Sequence, residues 1–74
     1  MYTLTQYIND NIKKAEFFGW NFWDENNEII GSSDACSTKS MRADIKKAEK
    51  NSGRKVVTIE ANAQDDNIMD TFTL

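Results

Sequence analysis

The chain has no histidine and no proline, only one cysteine, three glycines and no long apolar run. Each scarcity excludes something. Without histidine, the commonest general base and the commonest zinc ligand are missing, and a Cys–His catalytic pair is impossible. A lone Cys36 cannot form an intrachain disulfide, which fits a reducing cytoplasm. No stretch approaches the length of a transmembrane helix, and none has the pattern of a signal peptide. So little glycine and proline leaves no visible interdomain linker.

What is present is a small globular composition. Of 74 residues, 39% are hydrophobic, with two Trp, four Phe and two Tyr to build a core. Two tryptophans in so short a chain argue against disorder. A chain of this size buries only about 60% of its unfolded surface, so self-association is a natural way to bury more. The net charge of −3 conceals a division. Residues 1–34 carry two Lys against six acids, residues 35–61 carry seven Lys/Arg against three acids, and residues 62–74 carry three Asp and no base. Local charge therefore predicts more about partners than the average does.

"TLTQYINDNIKKAE" (3–16) places Leu4, Tyr7, Ile8, Ile12 and Ala15 on one helical face. Thr3 with Gln6 has capping-box form. A strand over Tyr2–Ile8 competes, but helix is favoured. "FFGWNFW" (17–23) reads as a strand, with Phe18, Trp20 and Phe22 on one face and Phe17, Asn21 and Trp23 on the other. "DENN" supplies turn chemistry, and "EIIGSS" (28–33) is the returning strand. Gly31 does not make a phosphate loop, because the second glycine and the lysine of that motif are missing.

"STKSMRADIKKAEKNSGR" (37–54) is the clearest helix. Ser37 or Thr38 caps it, Met41, Ile45 and Ala48 line one side, and Gly53 ends it. "KVVTIEA" (55–61) alternates Val57, Ile59 and Ala61 against Val56, Thr58 and Glu60, as a strand does. Residues 62–74 are acidic without clear periodicity and read as a tail, docked through Ile68, Met69 and Phe72. The expected architecture is a single α+β domain over residues 1–61 with an acidic C-terminal tail over 62–74. Helices pack on a small antiparallel sheet in the order α-β-β-α-β.

The run "FGWNFWDENNEIIGSSDACSTKSMRADIKKAEKNSGRKV" carries a resemblance. Trp20, Phe22, Asn26, Glu28, Ile29, Ile30, Ser32, Ser33, Lys39, Ile45, Lys50 and Asn51 match its pattern of aromatic strand, turn, Ile-Ile pair, small residues and Lys-bearing helix. In these positions the chain resembles the YegP-like family of small bacterial proteins of unknown function (DUF1508, also called UPF0339). The resemblance covers roughly residues 18–55. It implies a sheet with one packed helix and, for single units, a paired homodimer. It brings no catalytic residue to carry over.

The candidate chemistry is sparse. Asp24–Glu25 and Asp65–Asp66 are paired carboxylates, but neither continues as an EF-hand loop, and solvated turn and tail charge is the better reading. No metal or cofactor is expected. Cys36 near a helix start could be a reactive thiol, though a small flanking residue fits it better. The basic helix face of Lys39, Lys46, Lys47 and Lys50, with Arg54 and Lys55 beyond it, lacks interleaved aromatics. It reads as solvated, so nucleic acid is not an expected partner.

Phe17 and Trp23 give the sharper signal. Two large aromatics on the second sheet face need a cover, which either the N-terminal helix or a partner chain supplies. The expectation is a non-catalytic protein-interaction module, acting as a homodimer or on another protein, with Phe17, Trp23, Asp24, Glu25, Asp65 and Asp66 as its partner-binding residues. No small-molecule substrate and no membrane are expected. The alternative is a small phage-type accessory protein in the host cytoplasm. It would inhibit a host protein, such as one that handles nucleic acid, through its acidic surface.

Overall fold

A computed structural model describes residues 2–65 and 67–74, with Met69 described by its backbone alone. The elements are α1 (Leu4–Ile12), β1 (Phe17–Trp23), β2 (Ile29–Ser33), α2 (Thr38–Ser52), β3 (Thr58–Ala63) and β4 (Ile68–Thr73). The strands form one antiparallel sheet in the order β2-β1-β3-β4. This is a small α+β fold, and its first five elements follow the expected order.

Both helices start and stop where local chemistry dictates. Thr3 accepts from the Gln6 backbone N–H, and the Gln6 side chain accepts in return from the Thr3 N–H, so the capping box is complete. Ser37 caps α2 by accepting from the Ser40 N–H. Gly53 ends it at φ 71°, a left-handed conformation that favours glycine.

Both helices lie on the same face of the sheet. Leu4, Tyr7 and Ile8 of α1 and Met41, Ile45 and Ala48 of α2 form one cluster with Trp20, Phe22, Ile59 and Ala61. The core is stitched by polar atoms that find partners inside it, which removes the penalty of burying them. Trp20 Nε1 donates to the Ala35 carbonyl at 2.8 Å. The Tyr7 hydroxyl is shared between the carbonyls of Ile59 and Asp70, each at 3.1 Å, and burial pushes its phenol above the ordinary range. Gly31 is needed for close approach, because a Cβ there would stand 2.6 Å from the Ala48 Cβ. That contact seats α2 on β2.

Three expectations need correction. Simple alternation puts Phe18 on the face of Trp20 and Phe22 and Phe17 opposite, but Phe17 packs against Trp20 with ring centroids 4.8 Å apart, and Phe18 is 70% exposed. A bulge is the cause. Phe17 pairs with Ala63 and Gly19 with Asn62, so Phe18 is skipped and the alternation reverses at that end. Val56, expected beside Thr58 and Glu60, is buried, since regular pairing begins only at Thr58. Part of the expected tail, Ile68–Thr73, is instead a fourth strand on β3. Phe72 packs partly against the core near Tyr7, whereas Ile68 is exposed. The Met69 side chain falls outside the described residues.

Candidate functional site

Strand alternation gives the sheet a second face, and among the described residues no element covers it. Cross-strand pairs define its rows: Ser32, Asn21, Glu60 and Thr71 in one, Ile29, Trp23, Thr58 and Thr73 in the next. At the far end, Gly19 pairs with Asn62 and Asn62 with Ile68. Gly19 has no side chain there, and a depression forms between Phe18, Asn21, Ser32 and Asn62. Phe18 and Ile68 are both exposed at this end.

The other end is chemically sharper. Glu60 is only 5% exposed although it stands on the uncovered face. Its Oε2 accepts from the Trp23 indole N–H at 2.6 Å, and its Oε1 accepts from the Asn21 amide at 3.4 Å. Among the described residues no cation pairs with it. Trp23, Asn27, Thr58, Glu60 and Thr71 together line a recess of about 240 Å³.

The sequence-predicted residues are scattered. Trp23 lies on the open face as expected, but Phe17 has joined the core, so the two do not share a surface. β1 is an interior strand, so it offers no free edge for self-association; the free edges are β2 and β4.

Asp24 is not a solvated turn charge. It is 2% exposed, and its Oδ1 accepts from the backbone N–H groups of Asn26 and Glu28 at 2.8 and 2.9 Å. Its Oδ2 takes the Arg54 guanidinium at 2.9 Å, and Arg54 also reaches Glu28 at 2.8 Å. The Glu28 N–H, Arg54 and the Asn26 N–H hold the Asp24 carboxyl below the usual carboxylate range, against burial, which pushes it up. The Asp24 and Glu28 carboxylates in turn raise the Arg54 guanidinium. Asn27, at φ 59°, completes this corner in the left-handed conformation that Asn tolerates.

Glu25 is exposed beside it. Asp65 is exposed in the β3–β4 turn, bonded to Asn67. That turn is at the Phe17 end of the sheet and Asp24 at the Trp23 end, so about 20 Å of β1 separates them. Asp66 lies outside the described residues. Asp24 and Asp65 therefore share no surface.

Glu60 and Asn21 were not singled out by the sequence. Alternation put them on the outer faces of their strands, but their meeting depends on the β1–β3 register, which pairs Asn21 with Glu60. The basic side chains of α2 are exposed, and Cys36 is exposed with its thiol donating to the Asp34 carbonyl at 3.6 Å. Among the described residues no group of three His, Cys, Asp or Glu side chains could hold a metal ion, and no helix is long and apolar enough to cross a membrane. Comparison with protein-family models, with curated proteins and with solved structures finds no significant match to this chain.

Proposed function

We infer that this chain is a non-catalytic protein-binding module that meets its partner with the uncovered face of the sheet. One observation carries the reading: Glu60 is buried on that face with no cation beside it among the described residues, under a half-exposed indole. A buried charge opposes folding unless it is paired. Its place on an open face is better explained by something that docks there than by the fold. Exposed Phe18 and Ile68 extend the same face with apolar surface.

The resemblance to YegP-like proteins supports self-association as well, since its single units pair. We assign that homodimer to the β2 edge. Ile29–Ser33 carries no charge and Ile29 is 52% exposed, whereas the β4 edge carries Asp70. Charge is what protects an edge strand from pairing. The alternative, an acidic phage-type inhibitor, draws less support from the geometry, because Asp24 is spent on Arg54 and Asp65 stands at the opposite end.

Two variants at exposed positions test the reading. Sedimentation equilibrium at tens of micromolar is expected to find a dimer that Ile29→Lys dissociates and Phe18→Glu leaves intact. Capture from the native cell extract is expected to retain a protein on the parent and lose it on Phe18→Glu. A monomeric parent overturns the dimer. A protein retained equally by Phe18→Glu overturns the face.

A further inference from the structure

We propose that the recess between Trp23 and Glu60 is a binding site for an arginine side chain presented by the partner protein. The inference rests on the reading of this face as a protein-binding surface and adds its chemistry.

The first argument is valence. A carboxylate has about four acceptor sites, two on each oxygen. Glu60 uses one on Oε2 for the Trp23 N–H and one on Oε1 for the Asn21 amide. One site is left on each oxygen, and a guanidinium fork is the donor that can engage both carboxylate oxygens at once with two parallel N–H bonds. An ammonium group presents its three donors from one point and meets the two oxygens with poorer alignment than a planar fork does.

The second argument is the lining. Besides Glu60, the recess is lined by Thr58, Thr71, Asn27 and Trp23, residue types that carry hydroxyl and amide oxygens and an indole ring. Oxygens accept from the remaining guanidinium N–H groups, and an indole face attracts and stacks on a planar cation.

The third is size. About 240 Å³ is below the roughly 300–1,000 Å³ of a cleft for a whole small-molecule ligand, but ample for one side-chain head.

The fourth is that the chain does not fill the site itself. It has two arginines. Arg54 is held by Asp24 and Glu28, and Arg42 is exposed on α2, which packs on the other face of the sheet. Among the described residues no arginine or lysine pairs with Glu60, so charge complementarity points to a cation from a partner.

The two tryptophans make the test internally controlled. Trp23 Nε1–H faces Glu60 in the recess, whereas Trp20 Nε1–H is bonded to Ala35 in the core. In a titration of the parent with an acetylated, amidated Gly-Arg-Gly peptide, followed by nitrogen–proton correlation spectra, the Trp23 indole signal shifts saturably and the Trp20 signal stays in place. The citrulline peptide, neutral but of the same shape, produces no shift. The lysine peptide binds roughly tenfold more weakly.

Glu60→Gln keeps the side chain's size and its acceptor for Trp23, removes the charge, and lowers the affinity at least about tenfold. Its Trp20 signal reports whether the core is intact. If that variant unfolds, the comparison of arginine with citrulline on the parent decides alone. A Trp23 signal unmoved at millimolar arginine peptide overturns the proposal, as does an equal response to citrulline. So does undiminished binding by a folded Glu60→Gln. If the arginine peptide fails while capture still depends on Phe18, only the recess chemistry falls and the protein-binding reading survives.

Discussion

The sheet has two faces made by the same strands, and they obey different rules. On the inner face, Trp20, Phe22, Ile59 and Ala61 are closed in by two helices. Its polar atoms bond to backbone carbonyls. On the outer face, Asn21, Trp23, Glu60 and Thr71 alternate with them, and a carboxylate is buried among neutral side chains. The two tryptophans summarise the contrast. Both are hydrogen-bonded through the indole nitrogen, one to a core carbonyl and one to a carboxylate that no cation pairs with among the described residues. The inner face is explained by stability, and the proposed partner is the reason offered for the outer one.

That division predicts an order of effects. Trp20→Ala is expected to have the largest, about 3–5 kcal/mol, because it removes the largest fully buried side chain and strands the Ala35 carbonyl. For a domain this small the loss is enough to abolish a cooperative melt. A Trp20→Ala protein that melts within a few degrees of the parent would break the comparison at its inner face.

The second effect comes from setting two buried carboxylates side by side. Asp24 has backbone donors and Arg54; Glu60 has only neutral donors. Because the Asp24 carboxyl titrates lower in the folded chain than in the unfolded one, its contribution is complete above the unfolded value of about 3.9 and is lost as pH falls through the folded value. Asp24→Asn is expected to lower the thermal midpoint by several degrees at neutral pH. It should also flatten the acid limb of the stability curve. A variant that keeps the parent's acid limb would show that another group controls it.

Much of the inner face was legible in the sequence, because its signals are local. Thr3 with Gln6, Ser37, Gly53 and the spacing of Met41, Ile45 and Ala48 are read within one or two turns of chain. What was not legible depended on residues far apart in sequence. The bulge at Phe18 is fixed by where β3 pairs, and one skipped residue reverses which aromatic faces the core. β4 carries Asp70 among its apolar residues and is a strand because β3 offers it an edge. Asp24 looked like any turn carboxylate until Arg54, thirty positions on, closed over it. Glu60 was visible as an outward strand residue, but its burial comes from Trp23 in the neighbouring strand.

Glu60→Gln carries the smallest expected change in stability and tests the central claim most directly. If Glu60 is kept for a partner, the free chain holds an uncompensated buried charge, and the neutral amide relieves it. The weaker bond to Trp23 works against this gain, so the account predicts a urea midpoint equal to the parent's or higher. A cooperative unfolding free energy lower than the parent's by more than about 1 kcal/mol would contradict it, since Glu60 would then be one of the groups that hold the fold together.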